Sequence, residues 1–297
     1  MKKTLAMMTA AVMVAGALAG CGSSSSTPAA TTAAATEAAT TAAATDAATT
    51  EAAGNTAAAA EGTVKTPSGK FTVGFDQEFP PMGFVGDDGE FTGFDLDLAK
   101  EVASRLGLEF VPQPINWDAK DMELDSGNID CIWNGFTMQG REDDYTWVGP
   151  YMANNQVFVV TADSDIASKA DLAGKAVEVQ KDSSGLAALQ GEAELSASFG
   201  SMTEVADYNT ALMDLESGAC DAVCMDSIVA GYQIKSSGKD MKILDDTLSA
   251  EEYGIGFKKG EDALAKAVHD TLMEMKDDGT VAKISNDWFG SDVFTLK

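Results

Sequence analysis

One segment of this sequence has an echo of the same pattern further along the chain. Glu123-Leu-Asp-Ser-Gly-Asn-Ile-Asp-Cys-Ile-Trp133 aligns without a gap to Asp214-Leu-Glu-Ser-Gly-Ala-Cys-Asp-Ala-Val-Cys224, 91 residues further on. Each copy reads as the end of a helix, a Ser-Gly stop, an aspartate and then a buried strand. Two copies of one helix-turn-strand unit imply two similar α/β lobes. In open α/β sheets ligands bind beyond the carboxyl ends of the strands. If the lobes face each other, the residues after the two copied strands, Asn134-Gly-Phe-Thr137 and Asp226, converge on one cleft.

Around the copies, short apolar runs alternate with amphipathic ones. Residues 71–75, 129–133, 156–161, 176–180, 221–225 and 254–258 read as strands. Residues 95–106 read as a helix with Leu98, Val102 and Leu106 on one face, Asp95 placed to cap it and Gly107 to stop it. Such alternation predicts an α/β fold with mostly parallel sheets.

The N-terminus reads as an export signal. Lys2 and Lys3 precede an uncharged apolar run over residues 5–19, and small residues follow. The run is shorter than the ~20 apolar residues of a membrane span. The string Leu18-Ala-Gly-Cys21 resembles the lipobox of bacterial lipoproteins. That resemblance implies that residues 1–20 are a signal peptide and that Cys21 becomes a lipid-modified N-terminus carrying acyl chains such as palmitate. Residues 22–62 are nearly all Ala, Thr and Ser with scattered acids, so they cannot bury enough surface to offset chain entropy. The segment 21–62 is expected to be a flexible tether with a reach on the order of 35 Å.

A formal charge of -27 argues against nucleic acid, whose binding needs basic patches. No nucleophile–base signature is visible, so an enzyme is not expected. Cys131, Cys220 and Cys224 are odd in number. The Cys220/Cys224 spacing leaves open a bridge, a partial metal site, or small residues at buried strand edges. His269 lies in a helical pattern and reads as a surface residue. No metal or cofactor is expected.

In order along the chain stand Gly74-Phe-Asp-Gln-Glu-Phe-Pro-Pro-Met-Gly-Phe84, Gly93-Phe-Asp-Leu-Asp-Leu-Ala-Lys100, Gly127-Asn-Ile-Asp130, Gly135-Phe-Thr-Met138, Tyr253-Gly-Ile-Gly-Phe257, Asp278-Gly-Thr280 and Trp288-Phe-Gly290. Together these blocks resemble the amino-acid-binding proteins of ABC import systems, the polar-amino-acid group of periplasmic-type solute receptors. The resemblance covers about residues 70–290. It implies a type II periplasmic-binding-protein-like fold, with two lobes, two hinge crossings and a ligand cleft between them. Lobe 1 is expected at 67–155 plus 249–297, and lobe 2 at 156–248. The implied function is capture of a free amino acid, polar or cationic, and its delivery to an ABC permease by a monomer anchored to the extracytoplasmic face of the membrane through Cys21. A ligand sensor for a signalling partner, and an enzyme on the same scaffold, stay open as alternatives.

An amino acid presents a carboxylate and an ammonium, so its site needs a cation or oriented N–H groups for the first and an anion for the second. Arg141 is the expected carboxylate clamp, because guanidinium binds two oxygens at once. Its spacing from Gly135 and Thr137 is one residue shorter than the family pattern. Ser183 and Ser184 follow a strand and open a helix, where backbone N–H groups favour an anion. Asp182 stands where the family has Gly. Asp226 matches the family's ammonium-binding carboxylate. Asp76, Glu78, Phe79 and Trp117 match positions that touch the ligand side chain or wall the pocket, with Asn134, Gly135 and Thr137 beside them. Trp133 reads as pocket wall or core.

Overall fold

A computed structural model describes Thr66 and residues 68–297; the expected signal, Cys21 and the whole of the expected tether lie outside the described residues. The chain runs β1 (Lys70–Phe75), β2 (Glu78–Phe79), β3 (Gly83–Val85), β4 (Phe91–Thr92), α1 (Phe94–Leu106), β5 (Glu109–Pro114), α2 (Lys120–Ser126), β6 (Cys131–Thr137) and β7 (Tyr145–Thr161). It continues through β8 (Ala176–Gln180), α3 (Ser184–Gly191), α4 (Ala193–Ser198), β9 (Ser201–Val205), α5 (Tyr208–Ser217), β10 (Ala222–Asp226), α6 (Ser227–Ser237) and β11 (Met241–Ile243). β12 (Ser249–Lys258), α7 (Asp262–Asp277) and α8 (Thr280–Phe289) follow.

The strands lie in the order β5-β1-β6-β12-β7-β10-β8-β9, with β11 on β7. β1 is parallel to β5 and β6, and β8 is parallel to β9 and β10. Each parallel trio is the sheet of one lobe. The long strands β7 and β12 pair antiparallel over nearly the whole of β12. At one end β12 pairs with β6; at the other β7 pairs with β10. The chain therefore crosses between lobes twice, on two hydrogen-bonded strands. Among the described residues no helix is long and apolar enough to cross a membrane.

The repeated segment explains how each lobe is assembled. Gly127 and Gly218 end α2 and α5 in the left-handed region, at φ 76° and 78°. In both, the next N–H reaches back to the helix: Asn128 N donates to Glu123 O at 3.0 Å, and Ala219 N to Asp214 O at 2.8 Å. The shared aspartate then stitches the copied strand to its lobe's first strand. Asp130 Oδ2 accepts from Thr72 N at 2.6 Å, and Asp221 Oδ2 from Ala176 N at 2.8 Å. Side-chain carboxylates thus satisfy backbone donors just before the ladder to the copied strand begins, which would otherwise be orphaned.

Helix α1 packs Leu98 and Val102 into the lobe 1 core, fully buried with Phe71, Val73 and Phe75. Each such side chain contributes ~1.5–3 kcal/mol on burial. Gly107 stops it at φ 69° as expected. Asp95 does not cap it. The helix begins at Phe94, and its cap is Gly93 at φ 146°. A side chain at Gly93 would strike the Met82 backbone, so the chain turns there and Asp95 enters the core instead. Its Oδ2 accepts from Gly135 N at 2.7 Å and Tyr151 Oη at 2.8 Å. Burial pushes this carboxyl up to about 7, against those two hydrogen bonds.

Cys131, Cys220 and Cys224 are buried free thiols, with no bridge between Cys220 and Cys224. Among the described residues no cluster of His, Cys, Asp and Glu could hold a metal ion. His269 sits on α7 beside Asp270, partly exposed.

Candidate functional site

The carboxyl ends of β1 and β6 in one lobe face those of β8 and β10 in the other. Phe79, Trp117, Gly135, Thr137 and Arg141 from lobe 1 meet Gln180, Ser183, Ser184 and Asp226 from lobe 2 around one small pocket. These nine come from five separate stretches of sequence, at 79, 117, 135–141, 180–184 and 226, which only the topology brings together.

The cleft is closed. Gln180 Nε2 donates to Asp76 Oδ2 at 2.7 Å, Lys181 pairs with Asp118 at 2.7 Å, and Thr137 Oγ1 lies 3.1 Å from Ser184 Oγ. Lys120 pairs with Asp182, and Asn209 donates to Glu78 across the same gap. The pocket enclosed is about 10 Å³, roughly the space one water needs. Any larger molecule must enter with the lobes parted, so closure and occupancy are linked.

Arg141 carries the pocket's guanidinium. Its Nη1 donates to Thr137 O at 3.2 Å and its Nη2 to Asp182 O at 3.3 Å, and its head lies 5.1 Å from the Phe136 ring centre. Among the described residues no ion pair joins it to Glu142 or Asp143, so its charge is not neutralised locally.

Ser183 and Ser184 open α3. Ser183 caps it, accepting from Leu186 N at 3.1 Å, and also lines the pocket. Asp182 just before it holds φ 57°, the one non-glycine residue at positive φ among the described residues. That conformation accounts for a glycine in the family pattern; aspartate is among the few other residues that tolerate it.

Asp226 precedes α6 but does not cap it with its side chain. The carboxylate turns into the pocket wall. Oδ1 accepts from Asn154 Nδ2 and Tyr253 Oη, both at 2.7 Å, and Oδ2 from Tyr208 Oη at 2.9 Å. Burial pushes it up to about 7, the neighbouring charge of Glu251 adding to the rise and the hydrogen bonds opposing it.

The structure places the other expected residues as follows: Phe79 and Trp117 line the same pocket, and Asp76 and Asn134 stand outside its lining. Phe79 is buried against Tyr208 of the opposite lobe, ring centres 5.7 Å apart. Trp117 stands edge-on to Phe136 at 5.5 Å. Asp76 is buried at the pocket's outer edge, and burial pushes it up to about 6. Asn134 stands behind the wall: its Oδ1 accepts from Asp76 N at 3.0 Å. Trp133 is core, fully buried. Gln180, Asn154, Gln156, Tyr208, Tyr253 and Glu251 join the cluster without having been singled out. Only Tyr253 lay within a recognisable motif.

The family model for bacterial extracellular solute-binding proteins, family 3, matches residues 71–291. The chain belongs to that family. Membership places its work outside the cytoplasm and among solute binders. It is 32% identical over 231 residues to the L-cystine-binding protein TcyJ of Escherichia coli strain K12, covering 76% of this chain and 84% of that one. It is 30% identical over 226 residues to the arginine-binding extracellular protein ArtP of Bacillus subtilis strain 168, covering 74% and 86%. Among solved structures, an ABC uptake transporter substrate-binding protein from Streptococcus pneumoniae with bound histidine superposes with a TM-score of 0.74 at 34% identity, covering 77% and 95%. These likenesses and the fold agree on a two-lobed binder of the type II architecture.

Proposed function

We propose that the chain captures a free amino acid outside the cytoplasm and hands it to an ABC permease. The observation that carries this reading is one guanidinium and one carboxylate, Arg141 and Asp226, on opposite lobes of a single pocket. In this reading Arg141 and the N–H groups at Ser183–Ser184 take the ligand carboxylate, and Asp226 takes the ammonium. Thr137 and Gly135 complete the main-chain end. Asp76, Phe79 and Trp117 face the ligand side chain, and Asn134 braces Asp76. The lobes divide at 155/156 and 248/249, within β7 and at the start of β12. The named ligands of the relatives, cystine, arginine and histidine, are all amino acids with polar or cationic side chains, which supports the same class here.

A thermal-shift screen of the common amino acids, followed by calorimetry, tests it. A ligand at 100 times its dissociation constant stabilises by ~2.7 kcal/mol. Arg141→Ala and Asp226→Ala each lower affinity by ~2–5 kcal/mol with the fold intact, since each leaves a charge unpaired. No stabilisation by any amino acid ends the proposal. Anchoring through acylated Cys21 completes the reading, because two or more chains hold a protein stably at a bilayer. Fatty-acid labelling that is equal in wild type and Cys21→Ser removes that part.

A further inference from the structure

We propose that Glu251 is a positioning residue of this site, carried by the hinge strand β12, which acts on Asp226 through their shared donor Asn154. The proposal rests on the amino-acid reading above.

Glu251 is buried, 6% exposed, at the base of the cleft. Its Oε1 accepts from Asn154 Nδ2 at 2.6 Å, Thr137 Oγ1 at 2.9 Å and Gln156 Nε2 at 3.0 Å. Asn154 Nδ2 also donates to Asp226 Oδ1 at 2.7 Å. One amide nitrogen has two hydrogens, and here each goes to a different carboxylate. The other end of that amide is committed as well: Asn154 Oδ1 accepts from Ser227 Oγ at 3.0 Å and Ile228 N at 3.3 Å, at the start of α6. The side chain has a single workable orientation.

Glu251 also sets the direction of the pocket hydroxyls. Thr137 has one hydroxyl hydrogen, and the Glu251 oxygen, already bonded to two amides, only accepts. The Thr137 hydrogen therefore points at Glu251. Ser184 Oγ, which accepts from Gln156 Nε2 at 3.1 Å, supplies the hydrogen between itself and Thr137. One carboxylate on β12 thus orders groups from lobe 1, from the other crossing strand β7 and from lobe 2.

The titratable groups around the pair are Tyr208 on α5, Tyr253 on β12 and Cys224 on β10, with Tyr151 next to Tyr253 and Arg141 on the pocket wall. Arg141 is the single cation of this set. A second carboxylate sharing a donor with Asp226 in a dry site opposes the ionisation of Asp226. The charge of Glu251 therefore has two opposed effects. It adds to the attraction for a ligand ammonium, and it makes Asp226 keep its proton to higher pH.

The test is calorimetry with L-arginine, L-glutamine and L-cystine from pH 5.5 to 8.5 on wild type, Glu251→Gln and Glu251→Ala. Wild-type affinity falls as pH drops through about 7, by up to tenfold per pH unit. Glu251→Gln keeps an acceptor oxygen and loses the charge. It binds severalfold more weakly at pH 8.5, and its decline starts at lower pH, so the two profiles converge or cross by pH 5.5. Glu251→Ala strands three donors and binds more weakly throughout. Parallel profiles for wild type and Glu251→Gln overturn the proposal and leave the amino-acid reading standing. Wild type that binds no amino acid overturns that reading instead. Ligand-free unfolding in urea then decides the coupling to Asp226: the stability of Glu251→Gln relative to wild type rises from pH 5 to 7.5, and a difference independent of pH refutes it.

Discussion

Gln180 Nε2 donates to Asp76 Oδ2 at 2.7 Å, tying the end of β8 in one lobe to the residue just after β1 in the other. β1 and β8 are the equivalent first strands of the two lobes, each bonded to a copy of the repeated segment. Both groups are nearly fully buried on closure, so the bond is available only to the closed form.

Removing the donor tests how far this bond holds the lobes together. Gln180→Leu leaves Asp76 buried with only the Glu78 N–H on its carboxylate. A hydrogen bond to a charged group is worth ~1.5–3 kcal/mol, so closure loses roughly that much and ligand affinity falls at least tenfold. Small-angle scattering should show a larger radius of gyration for the ligand-free variant than for wild type. Identical scattering, with affinity unchanged, assigns the bond no part in closure.

The fold was legible because its information is local. The repeat, the glycine stops at 107, 127 and 218, and the alternation of strand and helix each depend on neighbours in sequence. Asp226, Thr137 and the Ser183–Ser184 helix start could be put forward as candidates because they sit at strand or helix ends, and Arg141 because it follows the Gly135–Met138 block; the structure brings all of them to one pocket. Glu251, Asn154, Gln156 and Gln180 were not, because their partners lie 28 to 114 residues away and each reads locally as an ordinary strand residue. Asp95 was misread for a related reason: an acid at a helix start looks the same whether it caps the helix or turns inward. The turn at Gly93 decides between the two, and that turn follows from the Met82 backbone packed against it.

Buried carboxyls set the pH dependence of stability. Asp95 and Asp226 are pushed up to about 7 and Asp76 to about 6, from an ordinary value near 3.8. Between those limits the folded state holds protons that the unfolded chain has released. Stability from these groups is therefore fully present below about pH 4 and is lost as pH rises through 6 to 7. The ligand-free urea midpoint should fall between pH 5 and pH 7.5, and Asp95→Asn should flatten that fall. A midpoint that rises over the same range contradicts the sign.

Asp182 links backbone conformation to charge. It holds φ 57°, and its carboxylate pairs with Lys120, whose side chain is 2% exposed. Asp182→Gly suits the backbone but strands a buried ammonium in the closed form, where an unpaired charge is costly. Opening the lobes returns Lys120 to water, so the cost falls on closure more than on folding. The variant should bind ligand more weakly while its ligand-free melting temperature changes little. Lys120→Met in the Asp182→Gly background should restore affinity, because no charge then remains to be buried. Failure of that rescue shows that the turn, not the ion pair, carries the effect.

The cleft mouth gives the strongest expectation about the ligand's side chain. Outside the pocket lies a cavity of about 1020 Å³ whose wall includes Asp76, Glu78, Asp118, Glu123, Glu204 and Asp207. Lys181 is the single cation there, and Asp118 neutralises it at 2.7 Å. A side chain that extends outward from a main chain held by Arg141 and Asp226 passes Asp76 first. An acidic side chain meets like charge at every step, in a closed cleft where screening by salt is weak. A guanidinium or ammonium meets acceptors, with Phe79 and Trp117 as flat walls for its face. We therefore expect arginine or lysine to bind most tightly, glutamine less, and glutamate least in a competition series that also includes leucine. The arginine on-rate should fall as salt is raised, since the mouth attracts cations over a distance. Tightest binding of glutamate refutes the assignment. Tightest binding of leucine shows instead that the aromatic walls outweigh the acids, and Glu78→Gln with Asp207→Asn should then leave the series unchanged.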